Sequence, residues 1–141
     1  MLQKLGRLDE AEREWREARG IFDDLGESEN HGWVLDGLGD VLRGLGRDEE
    51  AVAAYERAIA VLGMTADRRT QAWATFSLAS IWWDLRDYER AAPGFARAAR
   101  LAWDANLNAL CGVAWRLRAL TILHLGWQRI RGRAQRLAHV R

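Results

Sequence analysis

The stretch that decides the fold is LGRDEEAVAAYERAIAVL, residues 45–62. It aligns with LGRLDEAEREWREARGIF at residues 5–22 and with LRDYERAAPGFARAARLA at residues 85–102, so the three segments begin 40 residues apart. The shared slots hold Ala11, Trp15 and Ala18, then Ala51, Tyr55 and Ala58, then Ala91, Phe95 and Ala98. Because the residue type recurs at a fixed period, and not hydrophobicity alone, the pattern predicts a repeat architecture.

Each repeat contains two amphipathic stretches. Apolar residues recur at three- and four-residue spacing in residues 33–45 and again in residues 48–62, which predicts two helices. Gly46 between them suits the positive φ that ends a helix, and Asp48 and Asp87 are predicted N-caps. One such hairpin cannot bury both of its faces, so the hairpins are expected to stack.

The pattern predicts seven helices, at about 8–24, 29–44, 48–62, 68–84, 87–103, 107–125 and 127–139. Pro93 is expected to kink the fifth helix or to delay its start. The last helix departs from the pattern because Arg131 and Gln135 stand in the Ala and aromatic slots. A solvated capping helix is favoured there over a functional tail, since terminal repeats are atypical.

These residues resemble the tetratricopeptide repeat family over about residues 5–126. The pairs Leu38-Gly39 and Leu78-Ala79, and more weakly Arg118-Ala119, stand where the family carries Leu-Gly or Leu-Ala. The resemblance implies an all-α, right-handed superhelical solenoid of antiparallel helix hairpins. The period of 40 is longer than the family's usual period of about 34. In this respect the repeats resemble the longer-helix variety found in the C-terminal arrays of bacterial signalling ATPases and regulators.

The resemblance also divides the chain. It implies one domain, residues 1–141, composed of a half repeat 5–26, a repeat 31–66, a repeat 71–106, a partial repeat 109–126 and a divergent basic C-terminal helix 127–141. The first helix then lacks a preceding partner, so the face with Trp15, Ala18 and Phe22 is either exposed or covered by another chain, or belongs to a longer array. Trp15, Trp82 and Trp115 are predicted core residues.

Candidate residues for catalysis are few. The single cysteine, Cys111, rules out an internal disulfide and is expected to be a buried, inert thiol. His31, His124 and His139 fit no metal-ligand spacing, and no Gly-rich phosphate loop is present. We therefore predict a protein that is not an enzyme and that has no cofactor and no metal.

The sequence pattern predicts no membrane-spanning segment and no signal peptide. The longest uncharged run, residues 70–83, has 14 residues and is too short to span a bilayer. The first ten residues, MLQKLGRLDE, hold no apolar signal core. A cytoplasmic location without membrane contact is the prediction.

The resemblance implies a binding groove, because in this family the first helix of each hairpin lines the concave wall. The implied inward positions are Trp33, Asp36, Asp40 and Arg43, then Trp73, Phe76, Ser80, Trp83 and Asp84, then Val113, Arg116, Leu120, Leu123 and His124. Such aromatic anchors flanked by charges suit a peptide or a partner helix. The predicted function is a protein-interaction or scaffold module. A regulatory form, in which the repeats restrain another domain, is an open alternative.

Several alternatives stay open at this point. Most of the eight Trp residues could serve packing, and Asp36 and Asp40 could pair with Arg43 along their own helix. The terminal helices could mediate self-association. Nucleic-acid binding by the Arg-rich C-terminal half, with Arg129 and its neighbours close to Trp127, is the third alternative, placed last because the tail is short and shows no known motif.

Charge is divided unevenly along the chain, although the net charge is only +1. Residues 1–67 hold 8 basic and 16 acidic side chains, and residues 68–141 hold 13 and 4. In a solenoid this division becomes an end-to-end electrostatic dipole. We therefore expect head-to-tail association to weaken with salt, and we expect an acidic ligand to favour the surroundings of Arg116.

Overall fold

The computed structural model describes residues 2–25 and 28–138, without the side chains of residues 2–5, 22, 23, 25 and 28–30. All regular secondary structure in these residues is helical. The six helices are α1 (Leu2–Leu25), α2 (Ser28–Gly44), α3 (Asp48–Leu62), α4 (Arg68–Asp84), α5 (Tyr88–Asp104) and α6 (Asn108–Ala138). Each helix packs on the next one in the chain, and α2 also contacts α4. The predicted all-α helical solenoid is confirmed.

The helices fall into two types that alternate along the chain. We call α1, α3 and α5 the B helices, because they carry the Ala/aromatic/Ala slots, and α2, α4 and α6 the A helices. Residues at equivalent positions lie 40 or 80 apart in the sequence. Of the aromatic slots, Tyr55 and Phe95 are fully buried, whereas Trp15 is half-buried. The core is therefore a row of aromatic side chains on B helices, wedged between A helices.

Three turns end helices in the same way. Gly46, as predicted, has a positive φ, 76°, and Arg86 and Asn106 adopt φ values of 62° and 58°. At Gly46 the amide donates to the carbonyl of Arg43, while the next amide donates to the carbonyl of Leu42. The same pair of hydrogen bonds recurs at the other two turns. This is the Schellman arrangement, which favours glycine at the positive-φ position.

One of the predictions about helix caps needs correction. Asp87 caps α5 as predicted, since its carboxylate accepts the amide of the third helical residue. The prediction that Asp48 caps α3 is wrong, because Asp48 is the first residue of that helix. The capping residue is Arg47, which makes no side-chain cap hydrogen bond. The cap of α4, Asp67, was not predicted. Pro93 does not delay α5, which begins at the residue after its cap.

The last two predicted helices are one helix. The break expected at Gly126 is wrong, because α6 runs through it to Ala138. A helix that folded back after Gly126 would place Arg131 in the slot of Ala51 and Ala91, which are completely buried. Burying an unpaired guanidinium is costly. The straight helix keeps Arg131 exposed.

At the other end, α1 begins at Leu2 rather than near residue 8. Its Trp15 is not left exposed, since its indole lies over Gly37 of α2. An ion-pair cluster also anchors α1: Glu12 accepts hydrogen bonds from Arg16 at 2.7 Å and from Arg47 at 2.6 Å. The hydrogen bond with Arg16, reinforced by Arg47, lowers the pKa of Glu12.

Candidate functional site

The A helices present exposed apolar side chains at one repeated position. Trp33 of α2, Trp73 of α4 and Val113 of α6 lie 40 residues apart, and they are 56%, 47% and 44% exposed. We call these three residues the apolar row, and the surface of α2, α4 and α6 that carries it the A-helix face. The row is made of residues predicted for the groove, and the structure leaves all three accessible.

Aromatic neighbours support both tryptophans of the apolar row. The ring of Trp33 meets Trp15 edge-on, with centroids 5.3 Å apart and planes at 69°. Trp73 meets Phe76 edge-on, with centroids 6.2 Å apart and planes at 84°. Such pairs hold a large side chain in place without covering it. The exposed indoles are thus oriented before any ligand arrives.

An ion pair joins two A helices beside the row. The guanidinium of Arg43 in α2 lies 2.7 Å from the carboxylate of Asp84 in α4. The alternative in which Asp36 and Asp40 pair with Arg43 is wrong, since Arg43 turns to the next repeat. Both predicted groove residues of this pair are therefore on the A-helix face and partly accessible.

The two aspartates of α2 have different environments. Asp40 accepts a short hydrogen bond from the hydroxyl of Tyr55. Burial, together with this hydrogen bond, raises the pKa of Tyr55. Asp36 is half-buried, and its buried Oδ1 has no hydrogen-bond partner. Burial first, and then the charges of Asp40 and Asp67, raise the pKa of Asp36 to about 7.

Four other predicted groove residues lie beneath the row as packing. The Phe76 ring is 5.6 Å from that of Phe95, and the hydroxyl of Ser80 donates to the Phe76 carbonyl at 2.9 Å. Tyr88, which the sequence analysis missed, is buried between Trp83 and His124: its ring centroid is 5.0 Å from Trp83 and 4.3 Å from His124. The repeat register does not single out Tyr88, because the equivalent residues are Leu8 and Asp48.

The α6 portion of the face is more exposed than the rest. Arg116, Leu120 and Leu123 are all exposed around Val113. Trp82 is partly buried against the core, as predicted. The prediction that Trp115 is a core residue is wrong, because its side chain is 43% exposed. The guanidinium of Arg118 lies 5.2 Å from the centroid of the Trp115 ring.

The candidate metal and thiol residues of the sequence are dispersed in the part of the chain that the structure describes. Within them, no three His, Cys, Asp or Glu side chains are grouped so that they could hold a metal ion. Cys111 is buried, as predicted, and His139 lies outside the described residues. Across residues 2–25 and 28–138, no helix is long and apolar enough to cross a membrane.

The first three helices consist of a B helix, α1, packed on the hairpin of α2 and α3 through Trp15 and Gly37. Residues 1–63 match the family model of the tetratricopeptide repeat. This match supports the family assignment for the first three helices, and tetratricopeptide repeats generally mediate contacts between proteins. A comparison of the chain with curated proteins gave no match.

Proposed function

We propose that this protein is an interaction module whose A-helix face binds a peptide or a helix of a partner protein. The observation that carries the proposal is the apolar row. Exposed apolar side chains at the same position of three successive A helices form a repeated contact surface, and aromatic anchors dominate the energy of such surfaces. A solenoid offers this surface along its length, which suits an elongated ligand.

Charge gives the ligand a direction. The exposed Asp40 makes the α2 end of the face acidic, whereas the exposed Arg116 makes the α6 end basic. A ligand with one acidic and one basic end would bind with its acidic end at α6. Such complementarity sets orientation and association rate more than affinity.

The test starts from ligands selected for binding. A displayed library of peptides is selected on the immobilised protein, and each ligand is then measured by calorimetry against variants. The double variant Trp33→Ala/Trp73→Ala is expected to lose about tenfold or more in affinity, because it removes two anchors of the row. Trp83 is left intact, since it packs on Tyr88.

The matched control is Trp103→Ala. Trp103 is exposed on the B helix α5, where it lines a cavity with Trp115 of α6 and with no residue of the apolar row, so its removal deletes the same side chain without touching the row. We expect the control to keep the affinity within about twofold. Ligands that bind the double variant as tightly as the native protein, with folding intact, would contradict the proposal.

We extend the repeat assignment beyond the matched segment to residues 5–126. Its support is the recurrence of the Ala/aromatic/Ala slots in α5 and of the same helix-ending turn at Gly46 and Arg86. The domain division given above, the long-period variety found in bacterial regulators and the cytoplasmic location belong to this proposal. Restraint of a catalytic or DNA-binding domain by the bound repeats would be the regulatory form of the function.

Nucleic-acid binding is the weaker alternative. Arg129, Arg133 and Arg136 form one basic stripe of α6 when 100° is taken per residue, but this stripe lies on the side of the helix opposite Trp127. The aromatic ring and the three arginines therefore do not face one ligand together. Binding of single-stranded RNA at low salt, lost progressively as salt rises, would favour this alternative. Binding that is absent at low salt would exclude it.

A further inference from the structure

One face of α6 is exposed where the other A helices are covered. In α2, Gly32 and Gly39 are buried against Leu62 and Tyr55 of the following B helix, with contacts of 2.5 and 2.6 Å to a Cβ built on each glycine. The equivalent residues of α4, Ala72 and Ala79, are completely buried.

In α6 the same two positions are Gly112 and Ala119, and both are exposed. A Cβ built on Gly112 meets nothing within 4 Å. Two larger residues of this face, Trp115 and Ile122, are 43% and 46% exposed, whereas their equivalents Leu35 and Leu42 are buried. We call these four residues of α6 the open A face. Since α6 continues straight, no described helix of the chain covers it.

The helix α1 has the complementary feature. Each buried aromatic slot is packed from two sides: Phe95 lies between Phe76 of its own hairpin and Leu117 of the next A helix. Trp15 occupies the same slot in α1, where its indole packs over Gly37 of α2 and stays half-buried. The side of Trp15 that would meet an A helix of its own hairpin has no described partner helix.

We propose that α1 of a second copy docks on the open A face of α6 and continues the 40-residue repeat across two chains. Tyr55 lies on Gly39 and Leu62 lies on Gly32, so the equivalent antiparallel register sets Trp15 of a second copy on Ala119. Its Ala18 would pack near Trp115. The small residues at Gly112 and Ala119 are what this close approach of two helices requires.

The lengths of the two helices fit this register. Compared with α3, α1 begins six residues earlier in the repeat, and α6 runs twelve residues beyond Gly126. In the antiparallel arrangement these two extensions lie side by side. An inner hairpin of the chain has no such extensions, because it turns at Gly46 or Arg86.

Charge favours a second copy in this orientation. The helix α6 carries six arginines and no Asp or Glu, whereas α1 holds seven acidic and five basic residues. The half of the chain that contains α1 is acidic overall, and the half that contains α6 is basic. Head-to-tail approach brings opposite charges together, while contact between two equal ends brings like charges together.

The resulting contact is heterologous, because different surfaces of the two copies meet. Contacts of this type generate open stacks or rings and do not stop at a dimer unless the rotation closes. The surface lies apart from the apolar row, so ligand binding on the A-helix face and self-association are separable.

The experiment measures the average mass by sedimentation equilibrium from about 1 µM to about 500 µM. We expect the native protein to grow beyond a monomer with concentration, and to do so less at high salt. Ala119→Arg blocks the open A face and Ala18→Arg blocks α1, each weakening association about tenfold or more. Ala60→Arg, an equal change at an exposed site of α3, is the control and should associate like the native protein.

A mixture of the two blocked variants separates head-to-tail docking from other arrangements. Ala119→Arg keeps an intact α1 and Ala18→Arg keeps an intact α6, so the mixture should give a one-to-one dimer that cannot grow. Gly112→Arg, at a second exposed position of the same face, should weaken association as Ala119→Arg does. Agreement between the two variants shows that the loss of association does not come from a folding defect at one position.

Three outcomes would overturn the proposal. The first is a native protein that is monomeric at every concentration. The second is association that survives both substitutions in folded protein, as judged by circular dichroism. The third is a mixture that stays monomeric although each variant alone is folded, because head-to-tail docking requires one intact interface in that mixture.

Discussion

Gly39 of α2 lies directly against the ring of Tyr55 of α3, so closely that a Cβ on Gly39 would be 2.6 Å from Cε1 of the tyrosine. Tyr55 is completely buried, and its hydroxyl is held by Asp40. The ring therefore cannot withdraw without losing both packing and a hydrogen bond. The small residue in the Leu-Gly pair of the repeat is thus a steric requirement of the aromatic slot.

This contact predicts the effect of adding one methyl group. Gly39→Ala should lower the free energy of unfolding by about 1–3 kcal/mol through overpacking, although alanine is the better helix former by about 1 kcal/mol. Gly112→Ala, at an open position of α6, should instead raise it by about 0.5–1 kcal/mol. Urea denaturation followed by circular dichroism gives both values. Equal signs for the two variants would contradict this account of the slot.

The left-handed turn residues predict a stabilising substitution. Arg86 adopts the positive φ that Gly46 adopts one repeat earlier. Because a side chain is strained in that region, Arg86→Gly should raise the free energy of unfolding by about 1 kcal/mol. Gly46→Ala should lower it by a similar amount, since its Cβ would meet no neighbour and only the backbone strain changes. Thermal unfolding of both variants checks the pair, and a destabilised Arg86→Gly protein would refute the prediction.

Asp36 predicts a pH dependence of stability. Its pKa is raised from 3.8 to about 7 by burial and by neighbouring carboxylates. The folded state therefore binds more protons than the unfolded state between these values, and the contribution of Asp36 to stability falls as pH rises from about 4 to about 7. Asp36→Asn removes this slope and should be more stable than the native protein at pH 8 by about 2–4 kcal/mol.

The measurement for Asp36 is the free energy of unfolding at intervals between about pH 4 and pH 8. The native and Asp36→Asn profiles should converge toward the acid end and diverge toward the alkaline end. Asp40→Asn is a related variant that also loses charge near Tyr55, so it reports how much of the slope depends on Asp40. Profiles of native protein and Asp36→Asn that run parallel would show that Asp36 is not the group responsible.

The ion pair between Arg43 and Asp84 predicts a small, salt-sensitive coupling. Both side chains are partly exposed, and such pairs contribute about 0–1 kcal/mol. A double-mutant cycle with Arg43→Ala and Asp84→Ala should give a coupling below about 1 kcal/mol at low salt that disappears in about 1 M NaCl. A coupling above about 2 kcal/mol, or one insensitive to salt, would indicate a role beyond a surface pair.

The sequence was sufficient for the inner repeats because the same residue types recur there. The period of 40 located Tyr55 and Phe95 in the core, and Gly46 and Asp87 were assigned correctly as a turn and a cap. The family resemblance also assigned Trp33 and Trp73 to the wall of the groove. These assignments depend on the recurrence of residue types along the chain, which a single sequence is enough to show.

The ends and the packing beneath the face could not be predicted in the same way. Leu125-Gly126 looks like a turn, but whether the chain turns depends on what would be buried next, and Arg131 prevents it. Trp115 was assigned to the core by register, but among the described residues no helix covers this position of α6 as α3 and α5 cover it on α2 and α4. Whether Trp83 is exposed depends on Tyr88 in another helix, which is tertiary information.

The end of α6 has a consequence for helix–coil equilibrium. From Trp127 to Ala138 almost every residue is exposed, and the described contact to another helix is the ion pair of Arg129 with Glu89 at 3.6 Å. Intrahelical hydrogen bonds alone leave a segment of this length marginal in water, and Gly132 weakens it further. The helicity of these last three turns, followed by amide hydrogen exchange, therefore reports whether another molecule lies against them.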